Sequence, residues 1–299
     1  MSAIQPLARV VSVCSKKDIE TWSVACRHIV KFIDANEYLI VVPDAEVDEF
    51  KSVTCSPYKV LPETSYVGDL KGRIQTLLPI ENHDRIGWYL QQFIKIAAAK
   101  RAPVDGNTEA VILIWDADTI PLKQLKFVND DGKLIYYQGS EQHQPYFEFI
   151  EKAFGLKRKC EFSFIAQCFP AKISWVQSFC NALESKGHDW VESIILNLDQ
   201  SQRAGFSEYE SLGTFIWNNY PNQVGLSNQQ WERNGQKLLG KPSQLSELEW
   251  LGLSSTYDYI SFEVWDSNKG LGSKWRAYRN RLKFREIGRS NSRFKKSPI

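Results

Sequence analysis

Residues 111–122, VILIWDADTIPL, constrain the fold of this 299-residue chain more than any other segment. The first five, Val111–Trp115, are apolar and largely β-branched, the composition of a strand buried on both faces of a parallel sheet. Asp116 and Asp118 follow directly. An unpaired buried carboxylate costs several kcal/mol, so a strand that ends in two of them predicts a positive partner. In open parallel sheets, ligands bind beyond the carboxyl ends of the strands. Both aspartates are therefore placed to hold a hard divalent cation, Mg²⁺ or Mn²⁺, whose remaining positions are filled by substrate phosphates. Thr119-Ile120-Pro121-Leu122 then turns the chain sharply. The competing reading of the same triplet is a solvated turn whose aspartates bond only nearby backbone.

Upstream, the pattern is strand, helix, strand. Residues 9–15 (RVVSVCS) form a buried-type strand, residues 17–33 repeat apolar positions at helical spacing, and residues 38–42 (YLIVV) give a second strand closed by Pro43-Asp44. This is a βαβ unit with an expected right-handed crossover. No glycine-rich loop follows the first strand. Ser15-Lys16-Lys17-Asp18 stands there instead, which disfavours the dinucleotide fingerprint and the P-loop. Residues 53–61 predict a short third strand, and the polar residues 64–84, with Gly68 and Gly72, a long functional loop. Residues 87–101 predict a helix with Leu90, Ile94 and Ala97 on one side and Gln91 and Lys95 on another.

The second half reads as mixed. Strands are expected at 133–138, 161–169 and 257–265, the last alternating like an edge strand, and helices at 145–154, 171–185, 190–198 and 209–220. Residues 223–252 follow no clear period. A basic helix over 274–287 and a disordered tail close the chain. The expected architecture is one α/β domain over residues 1–273, with a nucleotide-binding half at 1–125 and a substrate half at 126–273. Residues 274–299 form a separate basic segment.

Composition narrows the function classes. The formal net charge is only +2, so the whole molecule is no nucleic-acid-like polycation, and no nucleic acid is expected as a partner. Ten Lys or Arg against one acid, Glu286, lie from residue 274 onward. Such a segment can rest on an anionic membrane surface, with Trp275, Tyr278 and Leu282 as its apolar stripe. Docking of that helix on its own domain is the alternative. Six scattered cysteines without Cys-x-x-Cys spacing and four dispersed histidines argue against a disulfide frame and a zinc site. With no secretory leader at residues 1–13 and no apolar run near 18 residues, the expected location is the cytoplasm, possible peripheral contact with the inner membrane surface included.

The βαβ start, the missing glycine loop and the strand closing on Asp-x-Asp together resemble a GT-A type nucleotide-sugar glycosyltransferase. More closely, GWYLQQFIKI (87–96), WDADTIPL (115–122), FIAQ (164–167) and SEYE (207–210) resemble a little-characterised bacterial family of proposed glycosyltransferases. The resemblance spans roughly residues 9–220. It implies a GT-A (Rossmann-like) fold and transfer of a sugar from a nucleotide-diphosphate donor to a saccharide or glycolipid acceptor in polysaccharide biosynthesis. Asp116 and Asp118 would then bind Mn²⁺ or Mg²⁺ bridging the donor diphosphate, a Lewis acid for the leaving group. Ser15, Lys16 and Asp44 would face the nucleotide, and Arg85 and Gln91 or Gln92 its base or phosphates. Each has a plainer role open to it: Asp44 can stabilise the turn after Pro43, Arg85 can pair with Glu81, and the glutamines can form a solvated helix face.

Ser207-x-x-Glu210 has the form of a capping box, in which Glu210 returns to the Ser207 amide. Glu208 lies in the same first turn, where the helix dipole favours its ionised form. A carboxylate there can deprotonate an acceptor hydroxyl as general base; Glu208 is the first choice and Glu210 the reserve. Most large aromatics are core residues, but Tyr146 and Trp231 sit in polar surroundings suited to stacking on sugars. Two rival classes stand beside this reading. One is a phosphatase-like hydrolase with Asp116 as covalent nucleophile, and the other a non-enzymatic scaffold using the basic tail.

Overall fold

The structure, a computed structural model, describes residues 7–103, 105–184, 187–227, 230–263 and 271–294. Its centre is a five-stranded sheet. The strands are β1 (Arg9–Val13), β2 (Tyr38–Val42), β3 (Lys59–Pro62), β4 (Val111–Trp115) and, after the short strands β5 (Thr119–Pro121) and β6 (Leu134–Tyr136), β7 (Cys168–Lys172). Their order is β3-β2-β1-β4-β7. The first four run parallel, and β7 pairs antiparallel with β4. Three more short strands, β8 (Val224–Leu226), β9 (Trp231–Glu232) and β10 (Tyr259–Ser261), complete two small sheets, β5-β10-β9 and β6-β8.

Every residue of β1 and β2 is buried, as a strand covered on both faces requires. Because side chains alternate across a strand, the sheet divides the apolar core in two. Val11, Val13, Leu39, Val41, Ile112 and Ile114 face one cluster; Val10, Ile40, Val42, Leu113 and Trp115 face the other. The first face is covered by the helix Ile86–Ala99, which buries Tyr89, Leu90, Phe93, Ile94 and Ile96. The second is covered by the helix Ile19–Phe32 through Trp22, Cys26 and Ile29. Both clusters draw residues from before and after residue 125, so the core is not split at the boundary between the two expected halves.

Several local expectations are corrected. Residues 64–84 are not a loop: the helices Glu63–Val67 and Leu70–Leu77 and a 3₁₀ turn, Ile80–Arg85, occupy them, with Tyr66, Leu70 and Ile74 buried. Asp69 starts the second helix by accepting from the Gly72 amide at 3.0 Å, a polar cap that the high polarity of the segment disguised. Residues 53–61 divide into the end of the helix Val47–Val53 and the strand β3. Of residues 161–169 only the last two enter β7. β10 is not an edge strand, since it lies between β5 and β9; the part of its expected range at 264–265 lies outside the described residues. The expected tail at 295–299 also lies outside them. No described helix is long and apolar enough to cross a membrane, and all six cysteines are unpaired.

The helix Leu271–Phe294 closes the fold against the helix Glu247–Ser254. The two backbones touch at glycines: a Cβ on Gly252 would lie 1.9 Å from the Phe284 carbonyl oxygen, and one on Gly288 1.9 Å from that of Leu248. Gly252→Ala is therefore expected to push the terminal helix away and to cost about 1–3 kcal/mol. A thermal melt of the variant matching the wild type would refute this.

Candidate active site

The carboxyl ends of β1 and β4 open into a cavity of about 450 Å³, within the size range of small-molecule sites. Val13 and Asp18 line it from the first strand's end, and Asp116, Ala117 and Asp118 from the fourth. The helix Ile86–Ala99 contributes Trp88, Gln91, Gln92 and Lys95, and the start of the helix Glu208–Asn219 contributes Ser207, Glu208 and Tyr209.

Lys95 organises this space. Its Nζ lies 2.5 Å from Asp116 Oδ1 and 2.8 Å from Glu208 Oε1, with the lysine only 5% exposed. Tyr209 donates its hydroxyl to the same Asp116 oxygen at 2.5 Å. Burial alone would push the Lys95 ammonium down; the two carboxylates more than offset it and hold its pKa above the ordinary value. Glu208 is buried, which raises its carboxyl, and Asp116 adds to the rise while Lys95 opposes it. Its backbone amide donates to Gln92 Oε1 at 3.0 Å, so Gln92 fixes the turn that aims Glu208. The positive partner demanded by the strand end is thus, for Asp116, an ammonium of the protein itself.

Asp118 is different. Its Oδ1 has the hydroxyls of Ser261 at 3.3 Å and Thr119 at 3.4 Å, and no cation among the described residues forms an ion pair with it. Burial pushes its carboxyl up to about 7, and the charges of Asp116, Glu263 and Asp18 add to the rise. Glu263 is likewise pushed up to about 7 by burial, against the opposing charge of Arg233. It accepts from Arg233 Nε at 3.0 Å and from Gln167 Nε2 at 3.0 Å. Gln167 has φ +61°, a conformation that costs a non-glycine residue on the order of 1–3 kcal/mol. Its carbonyl receives the Asp116 amide at 3.0 Å, so the bent backbone helps set the strand end.

The arrangement fits a divalent cation in one particular way. Among the described residues no group of three or more His, Cys, Asp or Glu forms a protein-only cage. Asp116 and Asp118 instead present hard oxygens to a cavity that holds an unneutralised carboxylate, which suits an ion completed by ligand oxygens.

Several expected contacts lie elsewhere. Lys16 is exposed, its ammonium 2.8 Å from Glu49 and its amide donating to Glu46 at 2.7 Å. Lys17 and Asp18, the next two residues of the same turn, line the cavity in its place. The Ser15 carbonyl accepts from the Asp18 amide at 3.0 Å and closes that turn. Asp44 accepts from the Thr64 amide at 3.1 Å and from its hydroxyl, which makes it a turn anchor outside the cavity wall. Arg85 donates to the Arg203 carbonyl at 3.0 Å and stacks on Trp88 instead of pairing with Glu81. Gln91 does line the cavity.

Glu210 is corrected as a reserve base. It is fully buried and accepts from Ser163 Oγ at 2.7 Å and the Phe164 amide at 3.1 Å, away from the cavity wall. The capping box is half formed: Ser207 Oγ accepts from the Glu210 amide at 3.3 Å, but the carboxylate goes to Ser163. The residues missed in the sequence are Lys95, Tyr209, Gln167 and Glu263. Lys95 had one visible signal, a lysine inside the otherwise apolar FIKIAAA.

Two outcomes follow for stability. Lys95→Met leaves two buried carboxylates facing each other and is expected to cost about 3–5 kcal/mol in urea unfolding, less when combined with Asp116→Asn and Glu208→Gln. Equal losses in the single and triple variants would contradict the ion-pair account. For Asp118, the folded pKa of about 7 exceeds the unfolded value of about 4. The fold then holds the proton more tightly, and the contribution of Asp118 to stability falls as pH rises from about 4 to about 7. In chelator-containing buffer, Asp118→Asn should gain on the wild type across that window; a constant difference in melting temperature would refute the assignment.

Comparison with known proteins adds the following. No curated protein matches the chain. Among solved structures, similar folds include the galactosyltransferase LgtC in complex with donor and acceptor sugar analogues (12% identity, 94% of this chain and 95% of that one, TM-score 0.43). They also include mouse xyloside xylosyltransferase 1 in its apo form (11% identity, 75% and 86%, TM-score 0.43) and the apo bifunctional glycosyltransferase WbbM (11% identity, 95% and 50%, TM-score 0.43). At that level of superposition these likenesses carry no conclusion about activity. A match that runs through βαβ unit, aspartate strand and cavity alike covers residues 3–269, and by it the chain belongs to the family described as "Family of unknown function (DUF6492)".

Proposed function

We propose that this protein is a metal-dependent glycosyltransferase of GT-A type that transfers a sugar from a nucleotide-diphosphate donor to a saccharide or glycolipid acceptor. The observation that carries the reading is Asp118: a desolvated carboxylate at the end of a parallel strand, beside Asp116, with no cation among the described residues paired to it. A donor diphosphate brings the oxygens that complete the coordination of an ion held there. Bound Mn²⁺ or Mg²⁺ would supply Lewis-acid stabilisation of the leaving nucleoside diphosphate.

The chain's own residues do the rest. Asp116 and Asp118 would hold the ion, and Lys95 fixes Asp116 relative to Glu208 through one ammonium. Gln91 and Trp88 form the wall on the same helix face. Glu208, with its raised proton affinity, accepts the proton of the acceptor hydroxyl as general base. A second cavity of about 540 Å³ shares Ile165 and Arg233 with the first and offers Gln138, Gln230, Asn234 and Trp231. The Trp231 ring is backed by Tyr259 at 5.4 Å and its Nε1 donates to the Gln138 carbonyl at 2.9 Å. A rigid indole among amides and hydroxyls suits the acceptor saccharide.

Calorimetric titration with a panel of nucleoside diphosphates, with and without Mn²⁺, tests the proposal. One nucleotide is expected to bind only with the metal, and Asp118→Ala to weaken it at least 100-fold (about 2.7 kcal/mol). Metal-independent binding that survives in Asp118→Ala, or hydrolysis of an aryl phosphate lost in Asp116→Asn, would favour the phosphatase-like reading instead.

A further inference from the structure

The helix Leu271–Phe294 has two faces of different character. One is docked: Ala277 and Gly288 are buried, Asn280 donates to the Leu238 carbonyl at 2.9 Å, and Arg281 and Arg285 lie 3.2 and 3.1 Å from Glu249. The other is open. Trp275 is 68% exposed, Tyr278 54% and Leu282 36%. These are three of the six exposed large apolar residues among the described residues, and all lie on this helix. At about 100° per residue, the three share one sector roughly 60° wide, which borders the docked face at Arg285. Arg276, Arg279 and Lys283 are exposed in the adjoining sector, and Arg289 continues the apolar row. Among the described residues none of these four forms an ion pair, and Glu286 is the helix's one acid.

We propose that this face is a docking surface for an anionic lipid bilayer. Aromatic rings with a polar edge settle at the headgroup level of membranes, and a helix lying in that plane needs an apolar stripe beside a basic one. The cations match anionic headgroups in charge, and Glu249, the buried acid beneath the helix, is already paired with Arg281 and Arg285. Nucleic acid would use the cations but not the adjoining apolar row. A second copy of the chain would bring the basic stripe against its own image, a repulsive arrangement. The inference does not rest on glycosyl transfer: it stands on the exposure and charge of this helix alone.

Co-sedimentation of the full chain with vesicles tests it. The protein is expected to pellet with mixed phosphatidylcholine–phosphatidylglycerol vesicles, to remain in solution with phosphatidylcholine alone, and to release as salt is raised. Each cation contributes roughly fivefold to partitioning, so Arg276→Glu/Arg279→Glu/Lys283→Glu should lower it by at least roughly 100-fold. Trp275→Ala/Tyr278→Ala should lower it at least tenfold with little change in melting temperature, because both rings are more than half exposed. Equal pelleting of either variant and the wild type would overturn the proposal. So would RNA binding lost only in the charge variant without any vesicle binding, or a dimer in sedimentation velocity that the apolar variant dissociates.

Discussion

The Lys95 ammonium lies between Asp116 and Glu208, and through it three separate parts of the chain become one site. Asp116 belongs to the end of β4, Lys95 to the helix covering one face of the sheet, and Glu208 to the first turn of a helix some ninety residues later in the sequence. Charges in a buried setting are tolerated only when paired and hydrogen-bonded. Here the pairing is completed by Tyr209 on Asp116 and Gln92 on the Glu208 amide. Displacing either carboxylate side chain from Lys95 would leave a buried charge uncompensated.

That pairing also explains why the two aspartates of the triplet differ. Asp116 spends its negative charge inside the protein, and Asp118 does not. The cavity consequently keeps acid to spare, with Asp18 and Glu263 adding to the field at Asp118. A cleft that concentrates one sign of charge between low-dielectric walls attracts the opposite sign. The carboxyl ends of two neighbouring parallel strands, β1 and β4, supply the opening, in the position where α/β sheets generally hold ligands.

Particular elements show where the sequence was readable. The strands at residues 9–13, 38–42 and 111–115 were legible because burial on both faces demands uninterrupted apolar runs. The helix around residues 87–99 was legible from its period. The segment at 64–84 was not, because short helices carry their apolar contacts in too few residues to show a period, and polar caps resemble loops. Glu208 and Glu210 illustrate the limit at single-residue scale. Both sit in one helical turn with the same chemistry, yet one faces the cavity and the other Ser163; helix rotation against its neighbours decides that, and local spacing does not encode it.

What the sequence by itself determined was the βαβ start, the aspartate strand and the sheet end at which the cavity opens, since these depend on local apolar runs and on the direction of parallel strands. Only the tertiary structure decided which charges meet. Lys95, Gln167, Glu263 and Lys17 reach the cavity from distant segments, and Lys16, Asp44 and Glu210 are turned to other partners. An ion pair depends on the separation of two charged atoms in a medium of low dielectric constant, and that separation is fixed by packing between elements rather than by distance along the chain.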